Sequence, residues 1–212
     1  MSKILVLDPG HGGSDPGAVG NGLREKDLTL DICKRIKKYL EASYTGIKVH
    51  MTRTTDKYLS LSQRAQFANN KKADLFVSVH INAGGGTGYE DFIHNSLSNS
   101  STTAKMRDTF HKEVVKEQSF WRNRGKKKAN FAVLRETKMA AILTENGFID
   151  NKNDANKLKS SSYLDKIAKG HAEGIAKALG LKKKSTSSTN KNATTSTKTT
   201  NSKKTFYRVV VG

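Results

Sequence analysis

Apolar residues recur along the first 180 residues in two patterns that alternate. Short runs such as KILVLD and DLFVSVHIN are apolar throughout or at every second position, which predicts β-strands. Longer segments carry an apolar residue on one helical face, as Leu28, Ile32, Ile36 and Leu40 do, which predicts amphipathic helices. The predicted strands cover residues 3–8, 48–53, 74–82, 88–95, 130–136 and 140–148, and the predicted helices cover residues 25–42, 59–72, 102–119 and 163–179.

The strand predicted at residues 74–82 is almost continuously apolar. A strand that is apolar on both faces belongs to a mainly parallel sheet covered by helices, because each face needs a layer that buries it. The alternation of strands and helices favours the same architecture. The sequence therefore predicts an α/β fold.

A change of composition divides the chain near residue 180. Residues 1–180 can bury one substantial core, so we expect a single domain there. Residues 182–204 contain only Lys, Ser, Thr, Asn and Ala, and the segment 181–204 is predicted to be a disordered linker. Residues 205–212, TFYRVVVG, alternate like one strand, which cannot form a domain alone. This strand either begins a second domain or pairs with something else.

The chain is strongly basic, with 38 Lys and Arg, 19 Asp and Glu and a formal net charge of +19. Residues 181–212 hold seven Lys, one Arg and no acid, so residues 1–180 keep 30 basic and 19 acidic side chains, or +11. Such a surface favours a polyanion: nucleic acid, anionic lipid or a teichoic-acid-rich wall. A specific nucleic-acid-binding module is disfavoured, because the basic runs lack interleaved aromatic residues and no zinc-finger or RNP-like motif occurs.

The compartment is only partly indicated by the sequence. The N-terminal apolar run is too short for a secretory signal, and no stretch approaches the roughly 20 apolar residues of a membrane span. We expect synthesis in the cytoplasm without a signal peptide, so that action outside the cell requires secretion or release by lysis. The single cysteine, Cys33, excludes an internal disulfide and is interpreted as a small buried hydrophobe.

The loop DPGHGGSDPGA, residues 8–18, directly follows the first predicted strand. It contains neither GxGxxG nor GxxxxGK[ST]; Asp8 and Asp15 would repel a phosphate, whereas His11 suits a metal. A plain surface turn explains the glycines of this loop equally well. The loop alone therefore leaves a metal site and a turn open.

Side chains that suit zinc lie close to the ends of the predicted strands. In open α/β sheets, functional groups gather beyond the carboxyl ends of the strands, which would bring His11, Glu25, His80 and Glu145 together. Two imidazoles and a carboxylate form a catalytic zinc set, and Glu145 would remain as the acid and base. The alternatives are that Glu25 complements a helix dipole and that His80 or Glu145 is structural. The other histidines, interpreted as surface or packing residues, are His50, His94, His111 and His171.

Four ordered motifs resemble one enzyme family: DPGHGG with DPGA, REKDLTL, SVHINAGGGTGYE and ILTENGFIDN. They are similar to the zinc-dependent N-acetylmuramoyl-L-alanine amidases of the amidase 3 type, in particular the Bacillus-type sporulation and mother-cell-lysis amidases and related phage endolysins. The resemblance implies that His11, Glu25 and His80 bind one Zn²⁺ and that Glu145 is catalytic. It also implies a mixed, mostly parallel sheet flanked by helices on both faces.

The resemblance further implies a peptidoglycan hydrolase that cleaves the amide between N-acetylmuramic acid and L-alanine, by zinc-activated water with Glu145 as general base. The enzyme would be a monomer that acts on the cell wall, and its basic surface and tail would bind anionic wall polymers. Asn82 is a candidate hydrogen-bond partner of the peptide, with a turn cap as the alternative. Arg53 and Arg64 are candidate contacts to acidic stem-peptide groups, with surface ion pairs as the alternative.

Two further interpretations concern the tail and the scissile bond. In the family that the chain resembles, such a linker leads to wall-binding domains of the SPOR type, whose first strand residues 205–212 resemble. Two His and one Glu do not define the bond that is cleaved, so a metal-dependent hydrolase with another substrate, such as a peptidase, fits the same residues.

Overall fold

A computed structural model describes residues 2–185 of the 212-residue chain. The strands are β1 (Lys3–Pro9), β2 (Val19–Gly20), β3 (Leu23–Arg24), β4 (Tyr44–Thr45), β5 (Ile47–Met51), β6 (Leu75–Asn82), β7 (Tyr89–His94), β8 (Asn123–Ala129), β9 (Ala140–Phe148) and β10 (Lys182–Lys183). The helices are α1 (Glu25–Ser43), α2 (Leu61–Asn70), α3 (Thr102–Glu117), α4 (Ala132–Arg135), α5 (Lys152–Leu158) and α6 (Ser161–Ala178).

Six strands form the central sheet in the order β5-β1-β6-β9-β7-β8. The pairings of β1 with β5, β1 with β6, β6 with β9 and β7 with β8 are parallel, whereas β7 and β9 are antiparallel. The predicted mixed, mostly parallel sheet is confirmed. Because β6 and β9 lie at its centre and are parallel, the residues at their carboxyl ends become neighbours.

Helices cover both faces of this sheet, as predicted. Leu5 and Leu7 of β1 pack into the larger core cluster, which includes apolar residues of α1, α3 and α6. Val6, which points to the opposite face, packs with Ala68 of α2 and Val133 of α4. The alternation of side chains along one buried strand thus explains why its sequence is apolar at every position.

Capping residues in the sequence mark the start of helices α2 and α3. Ser60 and Gln63 form a reciprocal capping box at the start of α2, and the Ser101 hydroxyl accepts a hydrogen bond from the Ala104 N–H at the start of α3. Such caps satisfy backbone N–H groups that have no partner inside the helix.

One predicted strand is wrong, and one strand of the central sheet was not predicted. Residues 130–136 contain the short helix α4, in which the adjacent residues Val133 and Leu134 are both buried. The observed strand β8 comes just before it and consists largely of Gly, Lys and Arg, so it carries no apolar pattern. It lies at the edge of the sheet, where lysines discourage pairing with other chains.

The predicted boundary of the linker also needs a correction. Residues 182–183, assigned above to the disordered segment 181–204, pair as β10 with Tyr44 and Thr45 of β4, and the Lys184 N–H donates to the Ser43 carbonyl. The ordered part of the chain therefore extends a few residues beyond Gly180. The remaining linker prediction and the strand predicted at 205–212 fall on residues 186–212, which lie outside the described residues.

Two smaller predictions can be compared with the described residues. Cys33 is fully buried in the core, as its interpretation as a buried hydrophobe requires. Within residues 2–185, no helix is both long enough and apolar enough to cross a membrane.

Candidate metal centre and active site

The fold brings His11, Glu25 and His80 to one point at the carboxyl end of the sheet. His11 lies in the loop after β1, Glu25 is the first residue of α1, and His80 lies near the end of β6. One ligand atom from each of these residues lies within 4.8 Å of the other two. The sequence therefore identified a set of residues, 69 positions apart at most, that the fold assembles.

The contacts show which atoms converge. Oε1 of Glu25 lies 3.2 Å from Nε2 of His11 and 3.0 Å from Nδ1 of His80. The two imidazole rings stand nearly perpendicular, with their centroids 5.0 Å apart. Two nitrogens and one carboxylate oxygen directed at one point match the protein ligands of a catalytic zinc site.

Hydrogen bonds hold these ligand groups in place from outside. Oδ2 of Asp15 lies 2.8 Å from Nδ1 of His11, and a proton on that nitrogen leaves Nε2 free as a ligand. Glu25 accepts hydrogen bonds from the Ala18 N–H at 2.8 Å and the Ile81 N–H at 2.9 Å. From the sequence, Asp15 was expected only to repel phosphate, and its contact with His11 was not predicted.

Two glycines of the loop make room for the protein's own ligands. A Cβ on Gly10 would lie 2.3 Å from the His80 ring, and a Cβ on Gly17 would lie 2.6 Å from Oε2 of Glu25. Gly17 also has a φ of +65°, which side-chain-bearing residues rarely adopt. His11 itself has a φ of +61°, so the backbone is strained at one of the three residues of the cluster.

The alternative that Arg53 and Arg64 make surface ion pairs is wrong, because each is only 3% exposed. Arg53 donates to the carbonyls of Pro9, Gly10, Lys26 and Thr55 and to the Thr29 hydroxyl. Arg64 donates to the carbonyls of Leu59, Pro9 and His11 and pairs with the buried Asp8 at 2.9 Å. Since every nitrogen of both guanidinium groups already has a partner in the protein, these arginines hold the loop from Pro9 to His11, and their contact to a stem peptide stays a prediction.

The electrostatics of the cluster favour a positive charge. Burial lowers the pKa of His11, but the carboxylates of Glu25 and Asp15 outweigh it and raise the pKa to about 9. Burial raises the pKa of Glu25, but the hydrogen bonds with both histidines outweigh this effect and hold the pKa well below its ordinary value. The His80 pKa is raised by Glu25 against the effect of burial. A site that stabilises added positive charge in this way also suits a divalent cation.

Glu145 lies directly beside the cluster. It is the register partner of His80 across β6 and β9, so both side chains lie on the same face of the sheet. Burial, with smaller contributions from Glu25 and Glu90, raises the Glu145 pKa to about 7, although His80 opposes this shift. Among the described residues, none provides a hydrogen-bond partner for the buried Oε2 of Glu145. This carboxylate therefore has hydrogen-bonding capacity that no described residue uses.

Glu90 is a buried neighbour of Glu145 that was not predicted from the sequence. It is the register partner of Glu145 across β7 and β9, and it pairs with Arg124 and Lys127. Its position next to Tyr89, in a segment predicted as an alternating strand, was the sequence signal that could have identified Glu90. The amide of Asn82 donates to Glu90 at 2.8 Å, and its Oδ1 accepts from the Ala83 N–H, which fits the turn-cap alternative; a contact from Asn82 to the peptide stays a prediction.

The four remaining histidines lie outside this cluster. His171 is fully buried and bonds to the Ile167 carbonyl and Thr144 hydroxyl, and His111 is buried against Asp91 at 2.6 Å. His94 contacts Ser96 and Asn130 at the surface. Within residues 2–185, the set of His11, Glu25 and His80 is the one group with the geometry of a metal site.

A cavity of about 260 Å³ opens beside these groups. His11, His80 and Glu145 form one part of its lining, and residues of the β5–α2 loop, of α2 and of the segment that leads into α4 form most of the rest. A small molecule in this cavity can reach the cluster and Glu145 together. The fold and site thus define a candidate metal centre with a buried carboxylate and a cavity beside it.

Comparison with known proteins gives the family. The profile of the family described as N-acetylmuramoyl-L-alanine amidase, Amidase_3, matches residues 5–177. The chain therefore belongs to this family of hydrolases, whose activity on peptidoglycan it shares, and the resemblance noted in the sequence is confirmed.

Individual relatives agree with this assignment. The chain is 52% identical to the sporulation-specific N-acetylmuramoyl-L-alanine amidase of Bacillus subtilis (strain 168) over 88% of this chain and 72% of that protein. It is 49% identical to the endolysin of Bacillus phage SPP1 over 87% of this chain and 69% of that protein. The solved catalytic domain of CwlV, an N-acetylmuramoyl-L-alanine amidase from Bacillus (Paenibacillus) polymyxa var. colistinus, superposes with a TM-score of 0.79 at 32% identity, covering 85% of this chain and 99% of that domain.

Proposed function

We propose that this amidase uses one Zn²⁺ held by His11, Glu25 and His80. The residues fit the ion in number, type and direction: Nε2 of His11, Oε1 of Glu25 and Nδ1 of His80 converge, and Asp15 supports the first of them. When bound, zinc supplies an acidified water and polarisation of the scissile carbonyl. The convergence of these three atoms is the observation that carries the proposal.

We propose Glu145 as the general base and acid of the reaction. Its carboxylate is buried beside the ligands, has an unpartnered oxygen among the described residues and a pKa near neutrality, so it can both take up and release a proton. Glu145 accepts the proton of the attacking water as the water oxygen bonds to the lactyl carbonyl carbon. It then donates that proton to the nitrogen of L-alanine as the C–N bond breaks. The products are a free muramoyl carboxylate and a free L-alanine amino group.

The remaining residues of the site keep these groups in position. Arg53 and Arg64 hold the loop from Pro9 to His11 through its carbonyls. Asp15 orients the His11 ring, and Glu90 fixes the side chain of Asn82 at the end of β6. The contacts to the loop and to the His11 ring limit how far this proposed ligand can move during the reaction.

The positive charge of the chain is proposed to retain the enzyme on its substrate. With a net charge of +19, the protein should associate with anionic polymers of the cell wall, the proposed place of action. The relatives include an amidase described as sporulation-specific and the endolysin of a phage, and both descriptions are consistent with such a location. We also propose that the enzyme works as a monomer, since the three proposed ligands and Glu145 all come from one chain.

The experiment is a measurement of zinc and of products on the same preparations. The wild-type protein should contain one zinc per chain and release free L-alanine amino groups from peptidoglycan without breaking glycan chains. His80→Ala should lose both stoichiometric zinc and this activity, because two ligands do not hold the ion tightly. His94→Ala, which removes a surface histidine, is the matched control and should retain both. Full zinc occupancy in His80→Ala would disprove the ligand assignment, and cleavage of another bond would favour the peptidase alternative.

A further inference from the structure

Exposed apolar side chains are concentrated around the cavity beside Glu145. Of the four large apolar residues with high exposure within residues 2–185, three line this cavity: Tyr58 at 51%, Leu61 at 56% and Phe131 at 38%. Tyr58 and Leu61 come from the β5–α2 loop and the start of α2, whereas Phe131 comes from the segment before α4. Apolar groups left in water around a concave site indicate a surface that is covered by a ligand.

The rest of this cavity is electrically neutral away from the metal cluster. Leu59, Val133 and Leu143 contribute apolar surface. Asp8 and Arg64, which also line it, compensate each other in a buried ion pair at 2.9 Å. The cavity therefore offers an aromatic and aliphatic surface and provides no uncompensated cation for an acidic group.

The neighbouring part of the same sheet face has the opposite character. Glu90, beside Glu145, is paired with both Arg124 and Lys127, so two cations share one carboxylate and a net positive charge remains. Phe131 stands between the two regions, since its ring packs against Phe92 of β7 with the centroids 5.3 Å apart. Glu145 thus has an apolar cavity on one side and a cationic surface on the other.

The two halves of the proposed substrate differ in the same way. On the acyl side of the scissile amide is an uncharged sugar, whose ring has apolar C–H faces that pack on aromatic side chains. On the amine side is a peptide that carries carboxylates. We infer that the cavity formed by Tyr58, Leu61 and Phe131 binds the sugar ring of the N-acetylmuramoyl group, and that the peptide extends over Arg124 and Lys127. This inference rests on the proposed function, because it places the scissile carbonyl between the ligand cluster and Glu145.

The test compares two substrates that share the same amide and peptide. N-acetylmuramoyl-L-alanyl-D-glutamate contains the sugar ring, whereas D-lactyl-L-alanyl-D-glutamate lacks it. Tyr58→Ala and Phe131→Ala should each lower kcat/KM for the muramoyl substrate about tenfold, mainly through KM, because each removes part of an apolar wall. Neither should change kcat/KM for the lactyl substrate. Tyr163→Ala is the control, since Tyr163 packs on Phe120 away from the cavity.

The outcomes separate the inference from the proposed function. An equal loss of kcat/KM on both substrates would overturn the sugar assignment. A loss of kcat/KM that disappears when the D-glutamate carboxyl is amidated would also overturn it, because the cavity would then bind the peptide. If Phe131→Ala unfolds, Phe131→Leu replaces it and should lose less on the muramoyl substrate than Tyr58→Ala does; an equal or larger loss counts against the assignment. A wild-type protein that contains no zinc, or releases no L-alanine amino group from either substrate, contradicts the proposed function itself.

Discussion

Replacement of Arg53 by Met should destabilise the protein through the loop that carries His11. The Arg53 guanidinium donates five hydrogen bonds, to four carbonyls and one hydroxyl, at 2.7 to 3.2 Å. Buried hydrogen bonds to a charged group contribute about 1.5–3 kcal/mol each, so a simple sum would exceed 7 kcal/mol.

That sum is too large, because the carbonyl partners do not become orphans. Pro9 O also accepts from Arg64, and Thr55 O also accepts from the Lys57 N–H. The single proton of the Thr29 hydroxyl is shared between Gly10 O at 2.8 Å and Lys26 O at 3.3 Å. Burying the guanidinium has a cost that the methionine avoids. We therefore expect Arg53→Met to lower the free energy of unfolding by about 2–3 kcal/mol, together with weaker zinc binding.

Urea unfolding of the wild type and the variant measures this difference. Arg35→Met is the matched control: Arg35 pairs with Asp31 and Asp165 at the surface, and its loss should change stability by less than about 1 kcal/mol. Equal effects of the two substitutions, or a loss below about 1 kcal/mol for Arg53→Met, would refute the role of Arg53 as a buried clamp.

Two further predictions concern pH and the tail. Burial lowers the His171 pKa from 6.5 to about 4, so the folded state prefers the neutral ring and its stability is present above pH 6.5 and lost as the pH falls toward 4. Between pH 7 and 5 the wild type should lose about 2 kcal/mol more than His171→Asn, as followed by urea unfolding, and an equal loss in both would contradict this. Removal of residues 186–212, which hold four Lys, one Arg and no acid, should leave the melting temperature and cleavage of soluble muropeptides unchanged, while binding to whole walls weakens and depends less on salt. Loss of soluble-substrate activity would show that these residues support the domain.

The strands that are buried on both faces of the sheet could be predicted from the sequence. Strands β1, β6 and β9 are apolar because helices cover both of their faces, and their order along the chain predicted that His80 and Glu145 would lie near His11. The edge strand β8 was not predictable in this way, because its side chains are mostly Lys and Arg and face solvent or ion-pair partners.

The other roles that were not predicted from the sequence depend on tertiary contacts. An arginine that follows a strand usually faces water, and nothing in the local sequence shows that Arg53 will meet the carbonyls of Pro9 and Gly10 from another loop. Glu90 likewise becomes part of the site only through the antiparallel pairing of β7 with β9, which is the one antiparallel contact in the described central sheet. The motifs identified the side chains that converge at the candidate metal centre, whereas the side chains that support them are brought there only by the fold.

The central claim is that Glu145 transfers protons and does not bind the metal. The most direct test measures zinc content, melting temperature and turnover on one preparation of Glu145→Gln, in which the side chain keeps its size but cannot accept a proton. We expect one zinc per chain, a melting temperature close to that of the wild type, and a turnover lower by about 10²–10⁴-fold. Loss of zinc would make Glu145 a ligand, a changed melting temperature with normal turnover would make it structural, and a zinc-loaded, fully active variant would contradict the mechanism.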